Sequence, residues 1–184
     1  IDGLQGIPQT RGRIVRPVID FRRDELRKIL SAREISWCED ETNAGNAYKR
    51  NKIRNDLIPW IKENMNANFE ISMAALARQA AELSAVRSAK AETLLADISC
   101  ENGTALAAWR KNAVKGLADS DTSELFRLQG KKLGLPVLDR KRTEELVRLA
   151  KAGGRWRFQW AADIEVCRTA EGIFWLHRAD AERI

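Results

Sequence analysis

One short stretch carries residue types suited to stabilising negative charge: Arg50, Asn51 and Arg54. Four residues apart on a helix, the two guanidiniums project from one side. Upstream lies an acidic, polar segment, Glu39, Asp40, Glu41, Thr42 and Asn43, followed by a small-residue turn at Ala44-Gly45-Asn46. Downstream, Ile53, Leu57, Trp60 and Ile61 form an i, i+4, i+7, i+8 stripe that should face a core. Arg50 and Arg54 fall on the side of that stripe, at its N-terminal end. An uncompensated buried charge costs several kcal/mol. The pair must therefore meet Glu39, Asp40 or Glu41, or line a cleft that takes an anion. A structural ion-pair network explains the same residues without any ligand, and both readings stand on these residues alone.

A second basic region runs from Arg127 to Arg157 and includes Lys131, Lys132, Arg140, Lys141, Arg142 and Arg148. These six should lie on two helices joined by Gly134-Leu135-Pro136, and a short connection sets such helices side by side. The functional reading is a face that tracks phosphates. The structural reading is a solvated helix face, since Glu144 and Glu145 interrupt it. Trp156 and Trp160 have faces on which RNA bases can stack, but their strand spacing favours packing.

The elements that position these residues are mostly helical. Residues 1–12 read as loop, and residues 13–18 as a short strand stopped by Pro17. Phe21 to Arg33 reads as a helix with Asp20 as N-cap. The central helix should run from about Ala47 to Asn64, kinked or split by Pro59. Phe69 to about Ile98 is one long helix with Phe69, Met73, Leu76, Ala80 and Leu83 at core spacing. Residues 105–117 read as a weaker helix. Thr122 to Leu133 and Arg140 to Ala152 are two more, the first capped by Ser120 or Asp121, the second by Asp139 and ended by Gly153-Gly154. In the tail, Trp156, Phe158 and Trp160 alternate with Arg155, Arg157 and Gln159. Ile164 and Val166 continue the pattern, and residues 173–177 return after a turn. The predicted fold class is mainly α, a helical domain with a small antiparallel β appendage of two or three strands at the C-terminus, α+β overall.

The chain has 184 residues, 44% hydrophobic and 32% charged, which suits a soluble globular protein of one domain or two small ones. Its net charge of +6 favours polyanionic partners. Cys38, Cys100 and Cys167 are far apart, no CxxC pair exists and His177 is the sole histidine, so neither a metal site nor a disulfide framework is expected. No apolar run approaches a membrane span, and no signal peptide opens the chain. The expected location is the reducing cytoplasm.

Glu39-Asp40-x-Thr42-Asn43, then Tyr48-x-Arg50-Asn51-x-Ile53-Arg54, then Leu57-x-Pro59, resembles the bacterial tRNA(Ile)-lysidine synthetase family, which carries an ED-x-S-N segment followed by RN-x-[IL]-R and a nearby proline. Gly3-Leu4-x-Gly6-Ile7-Pro8, Arg11-Gly12, Ile14-Val15-Arg16-Pro17 and Arg23-x-Glu25-Leu26 are also similar to the family. The dense resemblance covers about the first third of the chain, and beyond it only the layout agrees. Thr42 replaces the usual Ser and keeps the hydroxyl. Asn46 stands where many members have Asp, so no carboxylate role transfers there.

The resemblance implies an ATP-dependent ligase that converts the wobble cytidine of a tRNA(Ile) with a CAU anticodon to lysidine, using free L-lysine. It implies ATP with Mg2+ and lysine as substrates. It places Arg50 and Arg54 as catalytic cations, with Asp40, Asn43 and Asn51 read as residues that orient them, and it favours the phosphate-tracking reading of Lys131, Lys132, Arg140, Lys141, Arg142 and Arg148 as tRNA-binding. The family's Ser-Gly-Gly-x-Asp-Ser ATP loop is not found, and the chain begins at Ile1. The expectation is therefore a fragment inactive by itself, with no cofactor-binding residue of its own. Residues 1–64 would be the C-terminal edge of an ATP-pyrophosphatase-type catalytic domain, and residues 65–184 a helical tRNA-binding domain. ATP and lysine would bind through a missing N-terminal domain, and a homodimer is compatible with the sequence. Two other classes stay open: a non-catalytic RNA-binding helical module, and a structural or protein-interaction helical domain.

Overall fold

The computed structural model describes residues 2–38, 48–101 and 103–181. Asp40, Asn43 and the rest of the acidic segment and turn lie outside the described residues. The chain forms two compact units, Ile1–Leu83 and Ser84–Ile184.

The first unit starts with a two-stranded antiparallel hairpin, β1 (Thr10–Arg11) and β2 (Ile14–Val15), in place of one longer strand over 13–18. Helix α1 follows (Arg23–Ala32). Its N-cap is Arg22, not Asp20: the Arg22 backbone N–H donates to the Glu25 carboxylate at 2.8 Å, satisfying a donor that helix geometry leaves without a partner. The central helix is unbroken in path but changes winding. It runs as α2 (Lys49–Lys52), a π-helical turn (Ile53–Leu57) and α3 (Ile58–Asn64). Pro59 is the physical cause. It lacks an N–H and its ring crowds the carbonyl one turn back, and a wider turn just upstream absorbs both effects.

Helix α4 (Phe69–Ile98) matches its expected bounds. The expected core stripe along its first half does not. Met73, Leu76 and Leu83 are exposed, and of that set only Ala80 is buried. Ile53, Leu57 and Trp60 are likewise about half exposed. The helical phase of both stripes is right, but among the described residues of the first unit nothing covers them. Asn51 and Ala80 are that unit's buried residues among those described.

The second unit holds the hydrophobic core. Five antiparallel strands, β3 (Ser99–Cys100), β4 (Ala107–Arg110), β5 (Trp156–Ala161), β6 (Ile164–Arg168) and β7 (Gly172–His177), pair in the order β3-β4-β7-β6-β5. The helix expected over 105–117 is absent. Residues 107–110 instead pair with β7, with Ala107 opposite Trp175 and Trp109 opposite Ile173. Alanine favours helix intrinsically, but cross-strand packing of Trp109 decides the outcome. The sheet is thus larger than the small appendage expected, and it is the centre of the unit.

Both faces of β7 are buried. Ile173 and Trp175 join Trp109, Val166, Trp156, Phe158 and Trp160 in the main core, with Ala91 and Leu95 of α4. Phe174 and Leu176 pack with Ala108 and Cys167, and with Ala181 of the short helix α7 (Arg178–Ala181). Helices α5 (Asp119–Lys132) and α6 (Arg140–Ala152) contribute Leu125, Phe126, Leu146, Val147 and Ala150 to the main core. Trp109, Phe126 and Trp175 form an aromatic cluster with ring centroids 4.6–5.8 Å apart. The Trp109 indole N–H donates to the Gln129 side-chain carbonyl at 3.1 Å, whereas the buried indole N–H groups of Trp175 and Trp156 have no protein partner among the described residues. Trp156 and Trp160 are packing residues, as their spacing suggests.

Candidate nucleic-acid interface

Arg50 and Arg54 sit on α2 and on the π-helical turn. Both are exposed, and neither has an ion-pair partner among the described residues. The burial premise behind pairing them is therefore corrected: among the described residues no core lies against them. Between them Asn51 is 2% exposed and has a bonding partner.

Arg54 lines an open recess of about 490 Å³ with Arg22, Lys62, Glu63, Glu70 and Pro59. Glu70 balances part of this charge. Its carboxylate accepts from Lys62 at 2.7 Å and lies 3.7 Å from Arg22. The Lys62 hydrogen bond holds Glu70 below the usual glutamate range, with slight burial opposing it and the Lys62 and Arg22 charges assisting. Arg54 remains the cation of this recess with no carboxylate of its own among the described residues. Arg50 is not among the residues that line it.

The basic residues of the second unit divide into engaged and free groups. Asp139 caps α6 by accepting from the Arg142 backbone N–H at 2.8 Å, and Gly153 ends the helix in a left-handed conformation (φ 79). The Arg142 side chain turns to the sheet. Nη1 donates to the Trp160 carbonyl at 3.2 Å, Nη2 donates to the Gln159 carbonyl, and the guanidinium lies 5.2 Å from the Phe158 ring centroid. Arg142 thus serves strand β5 rather than standing free in solvent. Arg140 pairs with Glu144 one turn on, in solvent, at 2.7 Å. Lys151 bonds the Leu117 carbonyl and Asp119. Arg127 pairs with Glu124 at 2.8 Å, and burial lowers its pKa from the ordinary arginine value.

Lys131, Lys132, Lys141 and Arg148 are exposed and have no ion-pair partner among the described residues. Helices α5 and α6 pack against each other, as the short connection implies. Of the six basic residues singled out in the sequence, four are free cations on two adjoining helices, one is neutralised in solvent and one is structural. Lys111 and Lys115, which the sequence did not single out, add to the free basic surface, and Arg168, half-buried and bonded to the Ala150 carbonyl, lies beside them. No signal in the sequence groups them, because Lys111 and Lys115 read as part of a helix.

The sequence matches known proteins over both units. A PP-loop domain family matches residues 1–61. A tRNA(Ile)-lysidine synthase of Solibacter usitatus is 34% identical over 175 residues, 93% of this chain and 39% of that protein. The protein of that name from Chlorobaculum tepidum is 39% identical over 83 residues, 45% of this chain and 25% of its own length. That of Borreliella burgdorferi is 44% identical over 63 residues, 34% of this chain and 14% of its own. The chain spans about two fifths of the length of the Solibacter relative. The match at residues 1–61 also corrects one expectation: PP-loop domain sequence is present at the N-terminus, so an ATP-binding family segment is not absent from this chain. Among the described residues no helix is long and apolar enough to cross a membrane. Over 93% of its length, both units included, the chain is similar to a tRNA(Ile)-lysidine synthase, and its first third matches a PP-loop domain family.

Proposed function

We propose that the protein acts in the ATP-dependent conversion of the wobble cytidine of a CAU-anticodon tRNA(Ile) to lysidine. The observation that carries this reading is the 34% identity to a tRNA(Ile)-lysidine synthase across 93% of the chain, which takes in both compact units. The chemistry has two steps. The C2 oxygen of cytidine attacks the α-phosphorus of ATP and pyrophosphate leaves. The ε-amine of lysine then adds at C2, a proton is lost, and AMP departs with the oxygen. Negative charge builds on phosphate oxygens in both steps, and fixed cations lower that barrier most when their positions are set beforehand.

Arg50 and Arg54 supply such cations. They are free of carboxylate partners among the described residues, and the planar guanidinium matches two phosphate oxygens at once. Asn51, buried between them, is assigned to orient them, and Asp40 and Asn43 hold the same assignment from the sequence motif. The second unit holds tRNA through Lys131, Lys132, Lys141 and Arg148, with Arg140 at the margin and Arg142 bracing the sheet behind. Phosphate contacts of this kind hold RNA without reading its sequence. Among the described residues no group of three or more His, Cys, Asp or Glu side chains is placed to hold a metal ion. The Mg2+ expected with ATP therefore has no described ligand set here, and no step is assigned to it.

The test is pyrophosphate release by the full gene product. With ATP and without lysine, a tRNA(Ile) transcript with the CAU anticodon should stimulate release, and the same transcript with a wobble uridine should not. Equal release with both transcripts, or with neither, contradicts the reading.

A further inference from the structure

We propose that the recess between the turn at residues 111–117, the C-terminal end of α6 and Arg168 of β6 binds backbone phosphates of the RNA, apart from the face formed by α5 and α6. This rests on the RNA-binding reading above and extends it to a second contact region.

The recess has a volume of about 490 Å³. Its lining includes Lys111, Lys115, Lys151 and Arg168, and it includes no acidic residue. Lys151 is held by the Leu117 carbonyl at 2.7 Å and by Asp119, and so braces the turn against α6. Arg168 Nη1 donates to the Ala150 carbonyl at 3.4 Å, near the helix end. Those two cations are positioned by the fold. Lys111 and Lys115 are exposed and have no ion-pair partner among the described residues. The fold thus gathers two anchored and two free cations around one hollow, where like charges repel unless an anion enters.

Arg168 also lines a second recess, of about 200 Å³, together with Arg155, Arg157 and Thr169. Neither Arg155 nor Arg157 has an ion-pair partner among the described residues. Two cationic hollows that share one arginine suit successive phosphates of an extended chain better than one small anion. The first hollow lies at the end of α6 away from Lys141. Ten residues of helix separate Lys141 from Lys151, roughly 15 Å at 1.5 Å per residue. The two basic regions are therefore distinct contacts with independent effects.

The test is tRNA binding by the full chain across a salt series. It compares wild type, Lys111→Gln/Lys115→Gln, and Lys28→Gln/Arg33→Gln, which removes the same two charges from α1 and its C-terminal edge. The slope of log affinity against log salt should fall by about 1.4–1.8 in the first variant, at about 0.7–0.9 for each of two phosphate contacts, and stay at the wild-type value in the second. Equal slopes in all three would overturn the proposal while leaving RNA binding intact. No tRNA binding by the wild type would overturn both this proposal and the reading beneath it. Displacement of tRNA by micromolar pyrophosphate at constant ionic strength would reassign the recess to a free phosphate compound and also overturn it.

Discussion

Replacing Gly130 with alanine tests the packing that supports the basic face. Gly130 lies in α5, and an added Cβ would come within 2.9 Å of Trp160 Cη2, 3.3 Å of Cε2 and closer still to Cζ2. Ordinary carbon contacts lie at 3.5–4.0 Å, so the indole must move. It has little room: Trp160 is 2% exposed and its N–H donates to the Pro136 carbonyl at 2.9 Å. Overpacking of this kind costs up to about 3 kcal/mol, and loosening the hydrogen bond adds about 1 kcal/mol. Alanine returns about 1 kcal/mol through helix propensity. The net expected loss is about 2–3 kcal/mol. At 2–4 °C for each kcal/mol in a chain of this size, the melting temperature should fall by roughly 4–12 °C. Thermal and urea unfolding followed by circular dichroism and tryptophan fluorescence give both quantities. The Gly130→Ala/Trp160→Phe pair should show positive coupling, since the smaller ring relieves the clash. A Gly130→Ala protein as stable as wild type, or more so, would refute the packing of α5 on β5 described above.

Three further outcomes follow from the same structure. Gln129→Met should cost about 1–3 kcal/mol in urea unfolding, because it leaves the buried Trp109 N–H without its acceptor. Arg50→Ala and Arg54→Ala should each slow lysidine formation by about 100-fold or more, with a much smaller effect on tRNA affinity, and Arg→Lys should restore only part of the rate. Unchanged turnover in folded variants would return both residues to a structural role. Lys141→Glu should weaken binding of tRNA(Ile) and of an unrelated tRNA alike and lower the salt slope by about one in filter binding. Arg142 is unsuitable for that test, because its guanidinium holds the Gln159 and Trp160 carbonyls and its loss would disturb the sheet.

Local signals made much of this fold readable from sequence. Helix α4 is long and free of Gly and Pro, α6 has an aspartate at its start and a glycine pair at its end, and β5 alternates Trp, Phe and Trp with polar residues. Each of these is specified within its own segment. Residues 105–117 misled because alanine-rich sequence favours helix, while the pairing of Trp109 with Ile173 spans more than sixty residues of chain. The basic region showed the same division. Lys141 is free in solvent, but the role of Arg142 depends on carbonyls 17 and 18 residues away. The hollow at Lys111 and Lys115 could not be found without knowing that β6 brings Arg168 beside them. Around Arg50 and Arg54 the helical phase was correct, and the inference of burial failed because the apolar stripe beside them has no cover among the described residues.

The most direct measurement is transfer of labelled lysine to RNA by the full gene product, read by mass spectrometry of the digested transcript. The account predicts one lysine attached at the wobble cytidine of tRNA(Ile) with the CAU anticodon, dependent on ATP and abolished by changing that cytidine to uridine. Absence of the lysine adduct with ATP, lysine and the correct transcript all present, or label at any other nucleotide, would contradict it.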